Sequence, residues 1–305
     1  MSKRRAKVAK VKRGYVETPE GQIHYVAGGN GPPLLLLHQG PCSSRNFWKL
    51  LPLLTSRYRC IAPDMLGFGN SDPSPPGVRF EDFARNLVHV MDGLGLTKAH
   101  VFGLHTGNKI ATALGAAFPD RVDRIVLCGL SHSMIASQEA RGKAINSIVS
   151  NFKQFDSSLS EDEAMSEWAS AFSSIAKIWW DGENLLRRDA GMDRFLHIEH
   201  DLLDMVQARR SMYATVRANI AYDLIDDMRR LQSPTLVIEL CSPEEDALHG
   251  RQGPTLMQII PNGRLATLEN CSTHSIVWDA GRIAPLIFDH LGNSPSHAHI
   301  PPGTA

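Results

Sequence analysis

His105 stands at the centre of Gly103-Leu104-His105-Thr106-Gly107, a Gly-x-x-x-Gly turn. The apolar run before it, residues 99–104, reads as a buried strand, and the Ala-rich residues 110–118 read as a helix. A strand, a tight turn flanked by glycines and a helix form the layout of a nucleophile elbow, which lifts its central side chain clear of the sheet end. The glycines are needed because the backbone turns sharply and passes too close to its neighbours for a Cβ. Most such elbows carry serine, and this one carries an imidazole. A neutral imidazole is a nucleophile that needs no separate base, and it would form a readily hydrolysed acyl-imidazole. It could equally serve as a general base toward water or substrate. Histidine titrates near neutrality, so both roles are open at physiological pH.

The elements that must hold this turn can be followed along the chain. Residues 14–17 and 22–26 read as strands joined by the turn Thr18-Pro19-Glu20-Gly21, and 34–37 and 59–62 read as short buried strands. Residues 47–54 and 80–94 have helical spacing, and 125–128 read as a strand. Strands alternating with helices predict βαβ units and a mostly parallel sheet. The alternation stops at residue 131. Residues 131–231 contain helical patterns and read as a helical cap inserted in a core of residues 14–130 and 232–291. The sheet resumes at 234–240 and ends with a strand at 264–268, followed by a closing helix over 283–291. Residues 1–13 read as a disordered basic arm and 292–305 as a disordered tail rich in Pro, His, Gly and Ser.

Over residues 14–291 the chain resembles the α/β-hydrolase fold family. The stretch Leu34-Leu35-Leu36-Leu37-His38-Gln39-Gly40-Pro41 resembles its oxyanion-loop strand. Asp64-Met65-Leu66-Gly67-Phe68-Gly69-Asn70-Ser71-Asp72 resembles its Asp-x-x-Gly-x-Gly-x-Ser loop. The elbow, Pro119-Asp120-Arg121-Val122, a cap insert, an acidic loop and a late histidine follow in the family's order. The resemblance implies an α/β fold with a mostly parallel central sheet flanked by helices and a helical cap. It also implies a site of nucleophile, acid and histidine in that chain order. His105 takes the first place and His274, after the last strand, takes the third. Asp246 is the candidate acid, with Glu245 and Glu244 behind it in Cys241-Ser242-Pro243-Glu244-Glu245-Asp246. This loop lacks the family's usual Gly-x-x-Asp, and the elbow lacks its serine.

With His274 held cationic by Asp246, electrostatic repulsion would favour a neutral His105. The resemblance assigns oxyanion donation to the backbone N–H groups of Thr106 and Gln39, with the Gln39 side chain as a further donor and His38 in the same loop. His132 would line the pocket or cap a strand end. Trp168, Trp179 and Trp180 would form a lid over the substrate or pack in the cap. Lys109 sits where its charge does not help the helix dipole, which implies a solvent-facing or pocket-directed role. A metal site from His38, His105, His274 and Asp246 finds no support in the spacing, because its ligands would come from four separate loops. No metal or cofactor is expected.

Composition narrows the rest. The 305 residues are 43% apolar and 21% charged, ordinary for a globular α/β chain. Residues 1–13 carry seven Lys/Arg and no acid, which leaves 25 basic against 32 acidic residues elsewhere, a net of −7. That balance argues against nucleic-acid binding. The arm lacks the apolar stretch of a secretory signal, and no run approaches the ~18 apolar residues of a spanning helix. Five dispersed cysteines suggest free thiols and a reducing, cytoplasmic setting. The expectation is a cofactor-independent enzyme that hydrolyses an ester, lactone or C–C bond of a small, partly apolar carbonyl compound. The alternatives are a lyase, decarboxylase or cofactor-free oxygenase on the same site, or a non-catalytic ligand receptor.

Overall fold

A computed structural model describes residues 10–129, 159–166, 168–169, 191–243, 246, 250–272 and 274–292. Its centre is an eight-stranded sheet in the order β1-β2-β4-β3-β5-β6-β7-β8. The strands are β1 (Lys12–Thr18), β2 (Gly21–Gly28), β3 (Pro33–Leu37), β4 (Arg59–Pro63), β5 (Ala99–Leu104), β6 (Val122–Cys128), β7 (Thr235–Leu240) and β8 (Gly263–Leu268). β1, β2 and β4 pair antiparallel at one edge, and every pairing from β4 through β3 to β8 is parallel. Each strand expected from the sequence is present, several of them a residue or more longer.

Alternation along the strands divides the interior into two apolar layers. Leu35, Leu37, Val101, Ile125, Leu127 and Val237 face one layer. Leu34, Leu36, Phe102, Val126, Leu236 and Ile238 face the other. Burial on both faces is the signature of a parallel sheet covered by helices. The first layer is closed by α2 (Phe80–Gly93) and α3 (Thr106–Ala117). The second is closed by α1 (Leu51–Leu54) and the C-terminal helix Ala280–Leu291.

Three helix expectations shift. Residues 47–54 split into a 3₁₀ turn at Ser44–Phe47 and the short α1, because Pro52 fits only a first helical turn. The elbow helix begins at Thr106, directly after His105 rather than four residues later. The C-terminal helix starts at Ala280 and tolerates Pro285 in its interior.

Between β6 and β7 the described residues form mainly α4 (Asp193–Ala221), followed by α5 (Leu224–Arg229). After β7 come α6 (Gly253–Ile259), then beyond β8 α7 (Ser275–Trp278) and α8, the C-terminal helix. His132, Trp179, Trp180, Glu244 and Glu245 lie outside the described residues. Strand β1 begins at Lys12, within the stretch expected to be a free arm. All five cysteines are buried, and among the described residues none forms a disulfide. Among the described residues no helix is long and apolar enough to cross a membrane.

β3 pairs with β4 on one side and β5 on the other, so the chain's winding reverses between β3 and β5. In open α/β sheets the crevice beyond the strand ends at such a reversal is where ligands bind. Here it lies between the loop starting at His38 and the elbow at His105.

Candidate active site

The elbow takes its shape from its glycines. A Cβ on Gly107 would lie 2.2 Å from the Leu37 carbonyl oxygen, and one on Gly103 would lie 2.5 Å from the Gly107 carbonyl oxygen. Only bare backbone fits, which draws the end of β3 against the start of α3. His105 pays with its conformation: φ is 45° and ψ −104°, a region that L-residues with a Cβ rarely occupy. Its N–H donates to the Cys128 carbonyl at 3.1 Å. The half-buried ring lies over Gly129, where a Cβ would come 2.8 Å from both Cε1 and Nε2. Behind the turn, Asn108 is buried and ties α3 to β6 by donating to the Cys128 carbonyl at 3.2 Å and accepting from the Cys128 N–H at 3.1 Å.

Thr106 and Gln39, the expected oxyanion donors, are half-buried at the starts of α3 and of the β3 loop. The Gln39 side-chain amide donates to Cys42 Sγ at 3.6 Å. Burial, reinforced by Asp201 and Asp204, pushes the Cys42 thiol well up, so it is no thiolate nucleophile. His38 is 0% exposed, with both ring nitrogens engaged. Nε2 accepts from the Met65 N–H at 3.0 Å, so Nδ1 carries the proton and donates to the Gln39 carbonyl at 2.9 Å. This corrects its expected place among the substrate contacts, since no nitrogen is left to face a ligand.

Burial also holds the His38 ring below the ordinary imidazole range, outweighing the pull of Asp64 and of the Gln39 carbonyl. A folded pKa below the unfolded one gives stability that is present above the unfolded value and lost as the pH falls through it. A His38→Gln variant is therefore expected to lose stability less steeply than the parent as the pH falls below about 6.5, by up to ~1.4 kcal/mol per pH unit. Urea unfolding at several pH values measures the two slopes, and parallel slopes would refute this.

Asp64 is the carboxylate on which the neighbouring loops hang. Its oxygens accept from the N–H of Ser44 at 2.7 Å, the N–H of Asn70 at 2.9 Å and His24 Nδ1 at 2.8 Å. Burial alone would raise this carboxyl, but those bonds and the nearby His38 bring it below the ordinary range.

α4 crosses over the same loops. Asp204, 1% exposed, accepts from the Ser43 N–H at 2.9 Å, the Ser43 hydroxyl at 2.6 Å and Arg45 Nη1 at 2.5 Å. Burial nevertheless lifts its carboxyl to about 6. Lys49 pairs with Asp193, and Gln207 Nε2 donates to Asn70 Oδ1 at 3.1 Å. Lys109 is neither solvent-facing nor at the pocket. It is buried, donates to Asn219 of α4 and lies 6.0 Å from the centre of the Phe80 ring.

His274 stands at the end of the loop after β8, where its carbonyl accepts from the N–H groups of Val277 and Trp278 at 2.9 and 3.0 Å. Its ring meets His197 of α4 edge-on, with centroids 4.7 Å apart. Burial and the neighbouring His274 and His200 push the His197 ring down to about 3. Asp201, one turn further along α4, has its carboxyl raised to about 7 by burial and by Asp204. Ligand-type atoms of His197, Asp201 and His274 all lie within 4.8 Å of one another.

Asp246 is exposed and pairs with Arg251 at 2.8 Å, which in turn holds Glu269 at 3.0 Å. Among the described residues no ion pair joins Asp246 to His274. Among the described residues, a carboxylate close to that histidine is Asp201, which sequence reasoning missed. The i, i+4 spacing of His197 and Asp201 was visible, but nothing in the sequence said which face of α4 meets the core.

Trp168 is part-exposed under the Arg209 guanidinium, 4.4 Å from its ring centre. It borders a cleft of about 510 Å³ between α4 and the Gly67–Pro73 loop. His105 and His274 do not line that cleft.

A family model described as the alpha/beta hydrolase fold matches residues 32–176. Haloalkane dehalogenase 2 of Mycobacterium tuberculosis is 39% identical over 114 residues, 37% of this chain and 40% of that protein. The chain thus matches about two fifths of the length of such relatives. Pyrrolizixenacetamide deacetylase of Xenorhabdus hominickii is 24% identical over 264 residues, 84% of this chain and 92% of that protein. Among solved structures, the enol-lactonase from Burkholderia xenovorans LB400 superposes with a TM-score of 0.71 at 19% identity, covering 91% of this chain and 99% of that one. The strand order, the elbow and these likenesses agree: the chain has the fold of the α/β-hydrolase superfamily.

Proposed function

We propose that this chain is a hydrolase of small, partly apolar carbonyl compounds, acting on an ester, lactone or C–C bond, with His105 as nucleophile or general base. The observation that carries the reading is the strained backbone of His105 at the sheet's winding reversal. An off-region residue held by its surroundings at such a place is a hallmark of a working site. In the nucleophilic route the imidazole adds to the carbonyl carbon and expels the alcohol. Water then cleaves the acyl-imidazole, releasing the acid and regenerating His105. In the general-base route His105 takes the proton from the attacking water.

The N–H groups of Thr106 and Gln39 bind the oxyanion of the tetrahedral intermediate. His274 delivers and recovers the leaving-group proton. Its orienting carboxylate is Asp201, not the surface-paired Asp246. Relatives named as dehalogenases, a deacetylase and a carboxylesterase support hydrolysis as the reaction class.

A panel of activated aryl esters, quenched within seconds and followed by intact-mass spectrometry, tests this. Turnover is expected, with a covalent adduct on His105 if it is the nucleophile and none if it is the base. No turnover across the panel, together with ligand-induced stabilisation, would replace the hydrolase by a receptor.

A further inference from the structure

We propose that His197, Asp201 and His274 form a binding site for a divalent transition-metal ion of the zinc type. His197 and Asp201 stand four residues apart on α4, the spacing at which two helical side chains converge. His197 Nδ1 and Asp201 Oδ1 are 3.6 Å apart. That is too long for a hydrogen bond but close to the ~3.4 Å edge of a tetrahedron built on ~2.1 Å metal–ligand bonds. His274 closes the trio from a different element, with one ligand atom from each residue within 4.8 Å of the others. The His197 and His274 rings meet at 78°, which lets two imidazoles address a common point without stacking.

A second observation is independent of this spacing. His197 is 2% exposed, and its Nε2 is buried with no hydrogen-bond partner among the described residues. Buried polar atoms are seldom left so, and the cost is about 1–3 kcal/mol. With the ring's proton on Nε2, the lone pair sits on Nδ1, the nitrogen that faces Asp201, and that is where a cation would take it. Two imidazoles and one carboxylate are the donor set of three-ligand metal sites with an open position, and imidazole suits zinc. Four separate loops made a metal site implausible from sequence; α4 supplies the chelating pair that such a set lacked.

The consequence rests on the proposed reading of His274 as acid/base. A neutral imidazole has one basic nitrogen. With a metal on it, the ring keeps only an N–H and can accept no proton, so the loaded chain is arrested.

The test begins with binding, which needs no substrate. Equilibrium dialysis of the full chain against Zn²⁺, followed by elemental analysis, should give one zinc per chain. Co²⁺ in its place should give a visible ligand-field band. His197→Gln and Asp201→Asn should each weaken zinc binding by at least about tenfold and abolish the cobalt band. Asp201→Asn keeps the side chain's shape and carries the test if His197→Gln does not fold. In parallel, Zn²⁺ should inhibit aryl-ester turnover and a chelator should restore it. A chain that binds no zinc, or whose two variants bind it like the parent, overturns the site. A chain that binds zinc at these residues but turns over no ester overturns the hydrolase reading and leaves the site standing.

Discussion

Replacing His105 by alanine is expected to lower kcat/KM for an activated ester by at least ~10²-fold, the low end of what a positioned acid–base or nucleophilic group supplies. Any covalent adduct should vanish with it. The loss should not come from unfolding, because alanine carries a Cβ and inherits the same unfavourable φ of 45° and ψ of −104°. His105→Gly separates the two effects. Glycine occupies that region freely, so this variant should be as inactive as the alanine variant yet more stable than the parent by ~1–2 kcal/mol. Urea midpoints and initial rates on the three proteins measure both quantities. An active alanine variant would remove His105 from the chemistry. A glycine variant no more stable than the parent would mean that the elbow stores no strain.

Asp64→Ala should be the most damaging single change outside the elbow. The carboxylate accepts from Ser44 N–H, Asn70 N–H and His24 Nδ1, with Ser44 and His24 buried and Asn70 exposed. Alanine would strand the buried donors of Ser44 and His24 at once, with neither protein nor water to bond. The expected loss is ~3–5 kcal/mol of unfolding free energy, the range found when one partner of a buried charged network is removed. Asp64→Asn keeps one acceptor oxygen and should lose less. Chemical denaturation of both variants decides this, and equal, small losses would show that the three loops hold their shape without the carboxylate.

Much of the fold could be read from periodicity because the parallel strands are buried on both faces. Runs such as residues 34–37 and 99–104 have few other uses. The elbow could be read from two glycines, and close backbone approach is the reason for both. Asp64 could be quoted as part of a loop pattern, but its role as a common acceptor could not, since its donors come from positions 24, 44 and 70. Asp246 was a natural choice by chain order and yet turned outward to Arg251, because a loop sequence does not say which way an acid faces. The largest omission was the inner stripe of α4. His197, Asp201, Asp204, Ala208, Ser211 and Thr215 recur at helical spacing on its inner side, mixed with the apolar Met205, Met212 and Val216. A search for apolar periodicity finds such a helix but gives no role to the polar residues on its inner side.

The clasp between Asp204 and the Ser43–Arg45 segment bears on how a molecule could reach His105. A cover joined only to its own hinges can swing open by itself. Here α4 grips the loop that begins at Gln39, the proposed oxyanion donor, through the Ser43 N–H and hydroxyl and the Arg45 guanidinium. On the proposed role of Gln39, lifting α4 would disturb that donor, so movement of α4 and the geometry of the oxyanion loop are coupled.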